Sequence, residues 1–321
     1  MTRSLLKYIR FFIFTILIIS SCTNQKNTAD ISERKVRIVT TIGMITDAVK
    51  NVGGNRVQVK GLMGPGIDPH QYKATSRDLS RMFEADIIFY NGLHLEGKMA
   101  EMFGKMQAKG KKTVAVSDGI ERMALLKPSQ FEGAYDPHIW FDVSLWMKAV
   151  EKIRDSLCKI DPKNSDLYQR NAEDYLSKLG ELHNYVKSEA QKIPDGRRIL
   201  VTAHDAFNYF GRAYGFEVRG LQGISTAAEA GTGDLRNLAD FIANRKIPAI
   251  FIESSIPVRN IEAAKAAVKS RGFDVKIGGE LFSDSMGSEG TEEGTYIGML
   301  KHNIDTIVSS LLDENNQSGH K

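Results

Sequence analysis

The sequence predicts an α/β protein of two lobes, each built on a mostly parallel four-stranded sheet with flanking helices and joined by one long helix. Short runs rich in valine and isoleucine alternate with longer amphipathic runs, which is the pattern of parallel strands connected by helices. Four such strand–helix units precede a long uninterrupted helical pattern, and four follow it. A chain of 321 residues is long enough to bury two hydrophobic cores.

Each element is predicted from its hydrophobic periodicity and from the turn residues that bound it. In the first lobe, strands are expected over 36–41, 57–62, 86–90 and 113–116, and helices over 45–52, 76–84, 96–108 and 143–160. In the second lobe, strands are expected over 199–202, 217–221, 249–252 and 274–277, and helices over 206–214, 235–245, 258–270 and 296–312.

The long pattern between the lobes predicts a linking helix within 163–194. Apolar side chains recur there near helical spacing, and the segment is rich in glutamate, lysine and glutamine. Pro162 precedes it, and Pro194 opens the Pro-Asp-Gly turn that ends it. About 30 residues at ~1.5 Å each would span ~45 Å, so we expect a stiff connection rather than a hinge.

The N-terminus has the pattern of an export signal. Three basic residues precede an apolar run over 11–19, which is too short to cross a bilayer but fits the core of a signal peptide. The following Ile-Ser-Ser-Cys resembles a bacterial lipoprotein box, which predicts lipidation of Cys22 and a membrane anchor; an ordinary signal peptide cleaved nearby is the alternative. The predicted division of the chain is a signal peptide 1–21, a flexible tether 22–34, a first lobe 35–162, the linking helix 163–194, a second lobe 195–316 and a disordered tail 317–321.

The charge of the exported part gives no reason to expect a nucleic-acid partner. The chain has 43 basic and 39 acidic side chains, and three of the basic ones lie in the signal peptide. The remainder therefore has 40 basic against 39 acidic side chains, which is close to neutral. Only two cysteines are present, so acylation of Cys22 would leave Cys158 without a disulfide partner in the chain.

Four polar residues lie where a metal site would need them. The phrase Asp-Pro-His occurs twice and places His70 and His138 in loops that proline stiffens. His204 follows the strand predicted over 199–202, and Asp284 lies in the loop after the last predicted strand. Functional groups gather beyond the carboxyl ends of parallel strands, so two residues from each lobe are expected to face one cleft. Three imidazoles and one carboxylate form a complete set of ligands for a divalent transition metal ion.

Neighbouring residues have open roles. Asp68, Asp136 and Asp205 adjoin the candidate ligands and could accept a hydrogen bond from an imidazole N–H. His94 could also contribute from outside the ligand set, whereas the remaining histidines are expected at the surface or in the tail. Glu229 and Glu253 follow strands and are interpreted as ordinary loop caps.

Several of these loops together resemble the metal-binding lipoproteins, or solute-binding proteins, of bacterial zinc and manganese ABC importers. The segments are Asp-Pro-His-Gln-Tyr at 68–72, Asp-Pro-His-Ile-Trp at 136–140, Ala-His-Asp-Ala-Phe at 203–207 and Phe-Ser-Asp-Ser-Met-Gly at 282–287. The segments at 220–226 and 251–257 resemble the TroA-like branch. The resemblance implies two α/β lobes joined by a long helix. It also implies His70, His138, His204 and Asp284 as ligands, and delivery of the ion to a membrane permease.

Chemistry and resemblance bear on the ion in different ways. Three imidazoles and a carboxylate favour Zn²⁺, while Mn²⁺ prefers more oxygen ligands. Manganese-dedicated members of the family tend to carry glutamate at the position of His204, and zinc-dedicated members often carry a histidine-rich loop, which is absent from 121–135. Zinc is therefore favoured and manganese, or use of both, stays open. A metal-containing adhesin or structural lipoprotein is one alternative function.

A zinc hydrolase is the other alternative, and four protein ligands argue against it because a catalytic zinc keeps one position open. The protein is expected to be a monomer. Binding should change its shape little, with movement near the glycines that flank Asp284, and should weaken as the pH falls through about 6.

Overall fold

A computed structural model of the chain describes residues 31–128, 131 and 133–312. The predicted signal peptide, Cys22 and the tail lie outside the described residues, as do residues 313–316 of the predicted second lobe. The tether is described only at its end, where Ile31–Glu33 form a short 3₁₀ turn. Within the described part of the chain, no helix combines the length and the apolar character needed to cross a membrane.

The first lobe is built on one parallel four-stranded sheet. The strands are β1 Val36–Thr40, β2 Val57–Gly61, β3 Ile87–Tyr90 and β4 Lys112–Ala115, and their order in the sheet is β2-β1-β3-β4. Val36 lies opposite Val57 and Ile38 opposite Ile87, so β1 pairs on both sides. The helices are α1 Gly43–Gly53, α2 Ser76–Glu84, α3 Ala100–Ala108 and α4 Val143–Ile160.

The linking helix α5 runs over Ser165–Gln191 and is held to both lobes. At 27 residues it is ~40 Å long. The Asn171 side chain donates to the carbonyl of Val52 in α1 at 3.0 Å. Tyr185 donates its hydroxyl to Asp305 at 2.7 Å, in the last helix of the second lobe. The predicted single long helix between two lobes is therefore confirmed.

The second lobe contains two parallel strand pairs rather than one four-stranded ladder. Our prediction of a four-stranded sheet was wrong here. The pairs join β5 Ile199–His204 with β6 Glu217–Gln222, and β7 Ala249–Glu253 with β8 Lys276–Leu281. Where β5 and β7 end side by side, the backbone N–H of His204 donates to the Glu253 carboxylate at 2.8 Å, so a side chain and not a strand carbonyl joins them there. The helices are α6 Asn208–Tyr214, α7 Thr232–Arg245, α8 Arg259–Lys269 and α9 Tyr296–Leu312.

Three helices, α2, α4 and α9, have the bounds that the sequence predicts. The helix expected over 96–108 is shorter, because a 3₁₀ turn at Gly97–Met99 precedes α3. The buried Glu96 carboxylate there accepts the backbone N–H of Asn91 at 2.8 Å, which fixes a tight loop ahead of the helix.

Candidate metal centre

The four predicted residues converge at one point in the protein. His70 lies in the loop after β2, His138 directly before the turn that leads into α4, and His204 is the last residue of β5. Asp284 lies in the loop after β8. One nitrogen or oxygen atom from each residue lies within 4.8 Å of those of the other three, and all four side chains are buried.

The distances among these atoms suit a single small ion. The His70 and His138 Nε2 atoms are 3.3 Å apart. The Asp284 carboxylate lies 3.3 Å from the Nε2 of His204, 3.4 Å from that of His138 and 3.6 Å from that of His70. A tetrahedron with metal–ligand bonds of about 2.0–2.1 Å has edges of about 3.3 Å, so the spacing fits such an ion with little adjustment.

Several of these atoms have no hydrogen-bond partner among the described residues. They are the Nε2 of His204 and both carboxylate oxygens of Asp284, and all three are buried. Buried polar atoms in proteins almost always have a partner, because leaving one without costs about 1–3 kcal/mol. A bound cation would satisfy these three atoms together.

Two carboxylates outside the cluster orient the imidazoles. The Nδ1 of His138 lies 2.8 Å from Asp136, and the Nδ1 of His204 lies 2.6 Å from Glu253. Each carboxylate also accepts the backbone N–H of the same histidine, at 3.0 Å and 2.8 Å. A proton held on Nδ1 leaves Nε2 with its lone pair directed into the cluster, which is the arrangement that a metal ligand needs.

Glu253 is the functional residue that our sequence analysis missed. We interpreted it as a loop cap, and that interpretation is wrong because its side chain is buried against His204 rather than exposed at a turn. Its place directly after the strand predicted over 249–252 was the available signal, and that signal does not specify which strand lies alongside. The prediction for Asp136 is confirmed by its contact with the His138 ring.

The other neighbouring residues do not contact the imidazole rings. Asp68 accepts the backbone N–H of His70 at 2.8 Å, and Asp205 accepts that of Gly220 at 2.9 Å. His94 is exposed and adopts a positive φ of 66°, outside the cluster. Glu229 is exposed, as a loop residue is expected to be.

Burial and neighbouring charges raise the pKa of two of the three histidines and lower that of the third. Burial alone would lower the pKa of His138, but the negative charges of Asp136 and Asp284 outweigh it and raise that pKa to about 9. Glu253 and Asp284 likewise outweigh burial and raise the pKa of His204 well above its ordinary value. For His70 burial prevails over the attraction of Asp284 and lowers the pKa to about 3. Burial would raise the pKa of Asp284, but the positive charges of His204 and His138 beside it lower that pKa well below its ordinary range.

Replacing Glu253 by glutamine should lower metal affinity by about 10- to 100-fold, the usual effect of losing the partner of a ligand histidine. Glutamine keeps the size of the side chain but cannot accept both N–H groups of His204. Metal affinity is to be measured by competition with a chelator, with Glu229→Gln as the control because that carboxylate is exposed. Equal affinities for Glu253→Gln and the unchanged protein would show that Glu253 does not orient His204.

Comparison with known proteins agrees with this geometry. The family model described as zinc-uptake complex component A, periplasmic (ZnuA), matches residues 38–310. The chain belongs to this family. Its members are transport components and not enzymes. All four residues of the cluster lie inside the matched range.

Individual relatives of this ZnuA-family chain carry names for two different ions. The chain is 55% identical over 280 residues to the zinc-binding protein TroA of Treponema pallidum, which covers 87% of this chain and 90% of TroA. It is 42% identical to the manganese-binding lipoprotein MntA of Bacillus subtilis, over 87% of this chain and 91% of MntA. It is 31% identical to the manganese ABC transporter substrate-binding lipoprotein PsaA of Streptococcus pneumoniae, over 94% and 96%.

Solved structures show the same fold. The periplasmic zinc-binding protein TroA from Treponema pallidum superimposes with a TM-score of 0.84, covering 86% of this chain and 99% of that one. A manganese-bound periplasmic metal-binding protein from Candidatus Liberibacter asiaticus, 27% identical, superimposes with a TM-score of 0.75 over 86% and 100%. The two-lobed fold predicted from the sequence is therefore confirmed.

Proposed function

We propose that this protein captures one zinc or manganese ion outside the cytoplasm and delivers it to the permease of an ABC importer. The observation that carries the proposal is the buried cluster of His70, His138, His204 and Asp284. Its atoms are spaced for one ion, and three of them lack a hydrogen-bond partner among the residues that the structure describes. Membership of the ZnuA family supports the transport role. Zinc-binding TroA and manganese-binding MntA, both similar over most of their length, support this choice of cargo.

Zinc is the favoured cargo on chemical grounds. Three imidazole nitrogens and one carboxylate match the ligands that Zn²⁺ prefers, and Zn²⁺ exceeds Mn²⁺ in intrinsic affinity for such sites. Carboxylate oxygens contact the Nδ1 atoms of His138 and His204, so the Nε2 atoms of these histidines face the cluster, as a nitrogen-rich site requires. Manganese is the second cargo in this proposal, since the manganese-binding lipoprotein MntA is 42% identical to this chain.

The proposed placement is at a membrane surface, through a lipid on Cys22. The basic and apolar start of the chain and the Ile-Ser-Ser-Cys sequence support this, as do the lipoprotein names of MntA and PsaA. A monomer that binds and releases the ion beside its permease fits the geometry, because the cluster is complete within one chain. Metal loading should move the lobes little, since α5 holds both of them.

The test is a chelator-competition titration of the metal-free protein, without its signal peptide, with Zn²⁺ and with Mn²⁺. We expect one ion per chain, held more tightly for Zn²⁺. Weak binding, or binding of several ions per chain, would contradict the proposal. Uptake of radioactive zinc by cells that lack the gene separates transport from the adhesin alternative. Loss of a transport protein would lower the uptake, whereas loss of an adhesin would not.

A further inference from the structure

The two Asp-Pro-His loops share one pattern of hydrogen bonds. In each loop one aspartate oxygen accepts the backbone N–H of the histidine two residues later, at 2.8 Å for Asp68 and His70 and at 3.0 Å for Asp136 and His138. The intervening proline has a fixed φ, so the aspartate and the histidine are joined rigidly. A force that displaces the aspartate therefore displaces the histidine with it.

The second oxygen of each aspartate is bonded to the opposite lobe. Thr226 donates its hydroxyl to Asp68 at 2.6 Å, and Asn208 donates its amide to Asp136 at 3.1 Å. Both donors belong to the second lobe, in the loop after β6 and at the start of α6. Each aspartate thus links the position of the second lobe to the backbone of a candidate ligand in the first lobe.

The two histidines differ in how many contacts hold them in place. Asp136 is fully buried, contacts the His138 ring directly, and accepts a further bond at its backbone carbonyl from Tyr209 at 2.9 Å. In the described part of the chain, no carboxylate other than that of Asp284 lies against the His70 ring. His70 is also the most exposed of the three histidines, at 5% against 0% for His138 and His204. His70 is therefore held by fewer contacts than His138, and its ring is not held by its own aspartate.

The link at Asp68 lies at the wall of a surface cavity, where Asp68 is half-buried and Thr226 is buried. Asp68, Gln71 and Thr226 line a surface cavity of about 740 Å³ between the lobes. Gln71 donates its amide to the backbone carbonyl of Thr226 at 2.7 Å, so two bonds connect the His70 loop with the loop after β6. Separation of these two loops would break both bonds without disturbing the buried Asp136.

We propose that Thr226 is a positioning residue, which fixes His70 through Asp68 when the lobes are closed, and that the ion enters and leaves on the His70 side. This inference rests on the proposed metal site. His138 and His204, which Asp136 and Glu253 hold, then keep their geometry while the loop carrying His70 moves away. Loss of the Thr226 hydroxyl should weaken the closed state while all four candidate ligands stay in place.

The experiment measures the rate at which Zn²⁺ dissociates into excess chelator from the protein without its signal peptide. Thr226→Val removes the hydroxyl at almost constant size and should raise the rate about tenfold, the loss of one hydrogen bond to a charged acceptor. Thr226→Ser keeps the hydroxyl and should restore the slow rate. Ser225→Ala is the matched control, because the Ser225 hydroxyl bonds within its own loop, to the N–H of Ala227 at 3.3 Å.

A double-mutant cycle with Asp68→Asn tests whether the effect passes through Asp68. Once Asp68 is replaced, Thr226→Val should add less than about twofold, because the two residues act as one pair. Full additivity, or an unchanged rate in Thr226→Val, would overturn the inference. Failure of the unchanged protein to bind one ion would instead overturn the proposed function, so the two failures are distinguishable.

Discussion

Replacing His204 by alanine is expected to lower the affinity for Zn²⁺ by about 10²- to 10³-fold. Binding of structural zinc by four ligands is worth about 10–16 kcal/mol, so one ligand accounts for about 2.5–4 kcal/mol. His204 is fully buried with its Nε2 3.3 Å from Asp284, and solvent has no ready access to take its place. Alanine would also leave the buried Glu253 carboxylate without the ring N–H that it now accepts.

The measurement is the same chelator competition, with His302→Ala as the control. His302 is a histidine of the second lobe that lies on α9 outside the cluster, with its Nε2 3.0 Å from the carbonyl of Glu280. Its removal should leave the affinity within about twofold of the unchanged protein. If His204→Ala and His302→Ala bound the ion equally well, the cluster would not be the metal site.

The candidate site was predictable because parallel strands all end at one edge. His70, His204 and Asp284 follow or end strands whose periodicity is visible in the sequence, so their convergence needed only the fold class. Glu253 was not predictable in this way. It ends a strand as well, but its role depends on β7 lying beside β5, and periodicity does not specify which strands become neighbours.

Strand pairing in the second lobe shows the same limit. The eight strands were each predicted from local pattern, yet the division into two ladders depends on how β5 and β7 approach one another. Helices were predicted more closely because α4 and α9 carry their buried faces in their own periodicity. The hydrogen bond that connects Thr226 with Asp68 joins residues 158 positions apart, and no local signal in the sequence marks it.

Metal affinity is expected to fall from about pH 9 downward, and not only below pH 6 as ordinary imidazoles would suggest. The ion needs a free Nε2 on each histidine, but in the metal-free protein the pKa of His138 is raised to about 9 and that of His204 is also raised. A proton must therefore leave each of them at neutral pH before the ion can bind. His70, with a pKa of about 3, is already neutral and Asp284 is already ionised, so neither adds a proton.

The stability of the metal-free protein should respond to pH in the opposite direction. Because the folded pKa of His138 lies above its unfolded value of 6.5, its contribution is fully present below pH 6.5 and is lost as the pH rises through about 9. His70 has the reverse sign: its depressed pKa destabilises the fold progressively as the pH falls from 6.5 to about 3. Thermal unfolding of the metal-free protein between pH 6.5 and 9 should therefore show a falling midpoint, whereas the zinc-bound protein gains stability over the same range.

Calorimetry in two buffers of different ionisation enthalpy measures the protons released as Zn²⁺ binds. At pH 7.5 we expect more than one proton per ion, and close to two if His138 and His204 are both protonated beforehand. Three histidines of ordinary pKa would release only roughly 0.3 proton in total at that pH. A value near 0.3 would mean that Asp136, Glu253 and Asp284 do not keep His138 and His204 protonated at this pH. A value near two would mean that one Zn²⁺ replaces two protons, which carry the same total charge. The buried carboxylates are then neutralised by positive charge both with and without the ion.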